Sequence, residues 1–384
     1  MTVEECAAPG AELFGVNIDP WNPTANPTAD QLHELGVRWV RFLYRAGTGV
    51  EATNAKVQEY RSAGIKVLLN LSYESVSLPK PAHDAPDDQW TTYSEAFVGA
   101  AGDVAARIGS GVDAYEVWNE PDQLPEEGQD PGCSCDVTPD HCDDDCGCDY
   151  QCYDPYVPPV HFGPMAAGAG ALLGATGVPV VLGGFSSGQP AYVRDTLAAG
   201  GGLADYRGIA IHPYGADWLP GNSLVNAYQA FRFGRQVWVT EIGLAADGPD
   251  AADYLRHIYQ TTLDGGFAGD VVPVVFWFAW SDGNRPGFGL VDVDGQPKAT
   301  YAAFQEIAPA AQGRCTGGGT GTTPSDGCGD GVCASDETVE TCGVDCGCAA
   351  PDVCGTVAPF GCWCDPECAA RGDCCSDHAS ACGG

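Results

Sequence analysis

Eight short apolar runs, each followed by a helix-length segment, constrain this chain more than any other feature of its sequence. The runs are "LFGVNI", "VRWVRF", "KVLLNL", "DAYEVWN", "VPVVLGG", "GIAIHP", "QVWVTE" and "VPVVFWF". Between them lie amphipathic stretches such as "TADQLHELG", "TYSEAFVGAAGDVAARIG", "AYVRDTLAAG" and "DAADYLRHIYQTTLDGG", and "YAAFQEI" follows the eighth. Nearly continuous apolar runs are expected of parallel strands covered by helices, because neither face of such a sheet meets water. Eight strand–helix units imply an α/β chain closed as a (β/α)8 barrel, the TIM architecture, over residues 11–310. A doubly wound open sheet competes with it, but no glycine-rich phosphate turn follows the first run.

Two regions break the pattern. Residues 121–160, after the fourth run, hold six cysteines, eleven acids and no Lys or Arg. Loops after barrel strands lie on the catalytic face, so this excursion is expected to overhang the mouth. Residues 311–327 form a Gly/Thr-rich linker. Beyond it, 328–347 and 348–384 are cysteine-dense and too poor in large apolar residues to fold without staples.

Charge narrows the partners. The chain carries 17 Lys and Arg against 52 Asp and Glu, a formal net charge of −35. Such a surface repels phosphate backbones and anionic lipid, which leaves nucleic acid and membrane as poor partners and a neutral substrate as a better one. No apolar stretch approaches the length of a membrane span. Twenty cysteines point to disulfides and an oxidising compartment, extracellular or periplasmic, with secretion the expectation. The start "MTVEECAAPG" shows no leader, so a trimmed leader or a misassigned start is expected. Cys6 and Cys315 bracket the barrel and are expected to staple its ends. In the insertion, "CSCDVTPDHCDDDC" also admits calcium or zinc, although its spacing matches no zinc finger; no other cofactor is expected.

Chemistry gathers at the strand ends, which converge on one mouth. "YEVWNEPD" ends its strand on Glu120 and "VWVTEIG" ends its strand on Glu241. The fourth and seventh strands face each other across a barrel, so both acids come within reach of one bond. Two carboxylates so placed are the minimum apparatus for glycoside hydrolysis.

"WNEP" on the fourth strand, "HPY" on the sixth, "TEIG" on the seventh and "FWFAW" on the eighth together resemble the clan-A retaining glycoside hydrolases, enzymes of the cellulase, mannanase and xylosidase kind. The resemblance covers roughly 11–310, without the insertion. It implies Glu120 as acid/base and Glu241 as nucleophile, with their carboxyl groups about 5 to 5.5 Å apart. It also implies Asn119 on the sugar 2-hydroxyl, Arg41 keeping the nucleophile ionised, and His212 and Tyr214 bordering the reacting sugar, Tyr214 beside Glu241. Trp277, with Trp280 as the second choice, would give the sugar an apolar face. Two like carboxylates are then divided by environment, Glu120 kept protonated by burial and the neighbouring charge, Glu241 ionised by Arg41. From Cys362 onward the spacing CxCx3Cx5CCx6C resembles a somatomedin-B domain, which implies a protein or cell-surface partner for the tail. The competing reading is a barrel that binds carbohydrate without cleaving it, or an adhesin whose tail is the active part.

Overall fold

The computed structural model describes Gly10 and residues 12–124, 155–219, 221–246 and 248–313. All twenty cysteines, most of the insertion, the linker beyond residue 313 and the tail lie outside the described residues, and with them the Cys6–Cys315 staple, the metal reading and the somatomedin-like module. Residues 311–313, counted with the linker when the sequence is read alone, end the last helix instead.

Each apolar run is a strand: β1 Phe14–Asn17, β2 Trp39–Tyr44, β3 Lys66–Leu71, β4 Ala114–Val117, β5 Val180–Phe185, β6 Gly208–Ile211, β7 Gln236–Ile242 and β8 Val275–Trp277. They pair in parallel in sequence order and close as one barrel, β8 returning to β1. The helices are α1 Ala29–Leu35, α2 Val50–Ser62, α3 Asp87–Arg107, α4 Pro159–Gly174, α5 Pro190–Ala199, α6 Leu224–Ala230, α7 Pro249–Asp264 and α8 Ala299–Gly313. Most of α6, through Gln229, groups apart from the first compact unit. Thr28 starts α1 with a reciprocal capping box to Gln31, which satisfies two donors that a helix start leaves without intrahelical partners.

The barrel is filled, not hollow. Trp39, Leu68, Ala114, Val181, Ala210, Trp238, Val274 and Phe276 form a buried apolar cluster, with Trp39 edge-on to Trp238 at 5.6 Å. Gly15 completes that floor by omission, since a Cβ there would stand 2.6 Å from the Phe276 ring. Fully burying a side chain of Leu, Val or Phe size contributes about 1.5–3 kcal/mol, so this floor is a main source of stability. The seam between the two short strands β1 and β8 is clamped from the helix layer. There Tyr259 of α7 stacks on Phe14 at 4.9 Å and donates its hydroxyl to the Val275 carbonyl at 2.9 Å.

The excursion after β4 is pinned at its base. The Val157 amide donates to the Pro121 carbonyl at 3.0 Å, and Trp118 Nε1 donates to the Pro155 carbonyl at 2.8 Å. Pro159 and Val160, counted with the insertion when the sequence is read alone, open α4 instead. Proline suits the first helical turn, where its missing N–H has no partner to lose.

Candidate active site

Strand alternation builds the site. Side chains two residues apart point to the same face, so the layer directly above the floor is Asn17, Arg41, Asn70, Glu116, Gly183, His212, Thr240 and Phe278. Asn17, Arg41, Asn70, Glu116, His212 and Thr240 are all buried. Six polar side chains in one buried ring need partners, and they find them in one another. Arg41 reaches four: Nε donates to Glu116 Oε2 at 2.5 Å, Nη1 to Asn17 Oδ1 at 2.8 Å and Glu241 Oε1 at 2.6 Å, and Nη2 to Asn119 Oδ1 at 2.6 Å. Asn70 Nδ2 donates to Glu116 Oε2 at 2.9 Å and to the Trp118 carbonyl at 2.8 Å.

Local backbone irregularities then aim the two acids. Trp118 and Glu120 both have positive φ, at 78° and 54°, a conformation that costs a non-glycine residue about 1–3 kcal/mol and collects at functional sites. The first turn swings the Trp118 indole into the helix layer, 5.2 Å from Phe97 and 6.1 Å from Phe162, and leaves Asn119 and Glu120 at the mouth. On β7 the register slips between Val239 and Ile242, three residues there matching two on β8. A bulge re-aims side chains, and here the consecutive Thr240 and Glu241 both serve the site. A second slip on β5, between Gly183 and Phe185, exposes the Gly184 carbonyl, which accepts from the Glu120 amide at 3.1 Å. Gly184 sits at φ 80°, and a Cβ there would lie 2.8 Å from His212 Nε2. Only glycine fits.

Glu241 is gripped at both oxygens, Oε1 by Arg41 and Oε2 by the Tyr214 hydroxyl at 2.8 Å. Burial alone would raise its pKa, but His212, Arg41 and Tyr214 outweigh burial and hold the carboxyl below the ordinary glutamate value. Burial opposes the Arg41 charge too, and Glu116 and Glu241 more than offset it, so the guanidinium stays protonated. Burial pushes the Tyr214 phenol up, and Glu241 and Glu120 push it further. His212 Nδ1 stands 2.8 Å from Glu120 Oε1 and its Nε2 3.1 Å from Thr240 Oγ1. A bond of the first kind requires one proton between nitrogen and oxygen. Although burial disfavours the imidazolium, the facing Glu241 and Glu120 shift His212 upward.

Glu120, His212 and Glu241 offer donor atoms that all lie within 4.8 Å of one another, which also bounds the separation of the nearest carboxylate oxygens. They are a group of described residues that could surround a cation. A cation there would compete with Arg41 and Tyr214, which already occupy both Glu241 oxygens.

Six of the eight residues singled out from the sequence therefore meet: Arg41, Asn119, Glu120, His212, Tyr214 and Glu241. The two tryptophans do not. Trp277 has no exposed surface and packs on Tyr254 of α7 at 6.3 Å, and Trp280 is 3% exposed against Tyr301 of α8. For Trp277 alternation is the reason, since Phe276 faces the floor and its neighbour must face the helices; Trp280 lies past the end of β8, where strand parity no longer applies. The aromatic that reaches the mouth is Phe278, half-buried, with Tyr214 at 6.3 Å and Phe288 at 5.6 Å. Sequence reading also passed over Glu116, Thr240 and Gly184. The signal for Glu116 was an acid in the middle of an apolar strand, at an inward position.

The fold is shared with known structures. The chain is similar to a Bacteroidetes-affiliated GH5 cellulase linked with a polysaccharide utilization locus (14% identity, 79% of this chain and 92% of that one, TM-score 0.55). It is also similar to a GH53 catalytic domain from Ignisphaera aggregans (13% identity, 78% and 97% covered, TM-score 0.53). A third is a GH30 endoxylanase from Clostridium papyrosolvens C71 (14% identity, 79% and 73% covered, TM-score 0.51). At these identities the likeness is one of fold. No protein-family model and no curated sequence matches the chain.

Proposed function

We propose that the protein is a retaining glycoside hydrolase acting on a neutral oligo- or polysaccharide. One observation carries the reading: the nearest oxygens of Glu120 and Glu241 lie within 4.8 Å of each other, close enough for both acids to serve one glycosidic bond. Retaining enzymes hold their carboxyl groups about 5–5.5 Å apart, whereas inverting enzymes need about 6.5–9.5 Å to admit a water.

In the first step a Glu241 oxygen attacks the anomeric carbon while Glu120 gives its proton to the departing glycosidic oxygen. The C–O bond breaks, its electron pair leaves with that oxygen, and a glycosyl ester forms on Glu241. In the second step Glu120 takes a proton from water, whose oxygen attacks the same carbon and releases Glu241. Arg41 and Tyr214 keep Glu241 ionised for the attack and receive its charge back on release. Asn119, held at its Oδ1 by Arg41 Nη2, stands next to Glu120 in the chain and meets the sugar 2-hydroxyl beside the reacting carbon. Phe278 supplies the apolar face on which a ring can stack.

The test is a panel of aryl β-glycosides with dyed β-glucan, mannan and xylan, the anomeric configuration of the first product being followed by NMR. Retention is expected. An inverted product, or no turnover on any substrate, removes the proposal. The same reading places the protein outside the cell, supported by its twenty cysteines, with the cysteine-rich tail serving a protein or surface partner.

A further inference from the structure

A third carboxyl group lies in the ring of polar side chains, and the two-step reaction makes no use of it. Glu116 has no exposed surface. Its Oε2 takes two donors, Arg41 Nε and Asn70 Nδ2, while its Oε1 has no hydrogen-bond partner. That oxygen looks toward Gly184 and His212: a Cβ on Gly184 would meet His212 Nε2 at 2.8 Å and Glu116 Oε1 at 3.2 Å. A buried carboxyl group with one empty acceptor is costly, and removing its partner is costlier still. The cation bonded to it is Arg41. That same guanidinium bonds Glu241 through Nη1, so one positive charge serves two carboxyl groups.

We propose that Glu116 is a positioning residue that acts on Glu241 through Arg41, fixing the guanidinium by its Nε and taking up part of its charge. The inference rests on Glu241 being the nucleophile. A nucleophile must be ionised, yet one held too tightly as an anion has more to lose when its charge passes to carbon in the transition state. Splitting Arg41 between two acids meets both needs. Anchoring Nε also leaves Nη1 and Nη2 to Glu241 and Asn119, which orients both toward the sugar.

The groups that face Glu241 are Arg41 from β2, Glu120 from the turn after β4, His212 at the end of β6 and Tyr214 just beyond it. Those around Glu116 are Arg41, Asn70 from β3 and, across Gly184, His212. Arg41 is the hydrogen-bonding link between the two sets.

The experiment follows the carboxyl carbon of Glu241 by NMR in full-length protein labelled at glutamate, its resonance assigned by its loss in Glu241→Gln. Glu116→Gln keeps the shape and an oxygen for both donors but removes the charge, so Arg41 turns wholly to Glu241. Its titration is expected to move down by about one pH unit, and the acid limb of kcat/KM with it, while kcat falls about tenfold. Asn70→Ala acts oppositely. With one donor gone, Glu116 leans harder on Arg41, and the Glu241 titration moves up. Should Glu116→Gln fail to fold, the upward shift in Asn70→Ala carries the test alone. A titration that stays at its wild-type pH, or moves against these signs, overturns the inference even if activity drops. The measurement needs no substrate, so a wild-type protein inactive on every glycoside would sink the hydrolase reading without touching this result.

Discussion

Two layers of the barrel interior, one residue pair apart on every strand, do opposite work. The floor is apolar and interlocked: Trp39, Trp238 and Phe276 meet edge to face, and nothing in it ionises. The layer above keeps the same backbone register and replaces that filling with Asn17, Arg41, Asn70, Glu116, His212 and Thr240, bonded to one another across the axis. A floor of this kind stabilises through area removed from water. The upper layer adds little net stability, because each buried polar group loses as much hydration as its bonds return, and one oxygen of Glu116 gets no bond back. A backbone that is uniform around the ring can therefore carry a stabilising layer and a reactive layer side by side. The reactive one depends on the rigidity of the other.

Substitutions can break that contrast. The largest effect belongs to Glu241→Ala, which is expected to cut turnover of aryl glycosides by at least about 10⁴-fold. Its circular-dichroism melt should stay close to wild type, and a melt that collapses would show the upper layer to be structural. Trp238→Ala strikes the floor instead. It should cost about 3–5 kcal/mol of stability, read in a denaturant titration, while the kcat of the folded fraction changes far less. Tyr214→Phe removes the donor on Glu241 Oε2. A hydrogen bond to a charged group is worth about 1.5–3 kcal/mol, so kcat/KM should fall by about 10- to 100-fold. Since that bond lowers the Glu241 pKa, its loss should move the acid limb of the pH profile upward. In the wild type that limb should lie below the ordinary glutamate value, because the carboxyl stays ionised to lower pH. The smallest effect is expected of Trp277→Phe. With the ring buried against α7, KM should stay within about twofold and the cost should appear as about 1 kcal/mol of stability. A large rise in KM would return Trp277 to the sugar.

Much of the barrel was readable because its signal is local. A run such as "KVLLNL" is apolar on both faces, and the segment after it is helical by its own periodicity, so strand order followed from counting. The pair Glu120 and Glu241 was readable for a similar reason, each standing where an apolar run stops. Glu116 escaped notice because its importance lies in facing inward beside Arg41, a relation between strands. Trp277 misled because a tryptophan at a strand end suggests a sugar platform, whereas the parity of β8, set by Phe276 on the floor, turns it outward.

The order of the strands, their closure into a ring and the two acids at opposite walls were determined by the chain's own pattern, since periodicity and run length are properties of neighbours in sequence. Which side chains share the one guanidinium was decided only by the fold. Two bulges, on β5 and β7, and two left-handed residues, Trp118 and Glu120, shift the register by single residues. At a period of two, a shift of one residue moves a side chain from the helix layer to the mouth. Those slips arise where strands from distant parts of the chain must match lengths around a closed ring, a constraint that no local stretch of sequence contains.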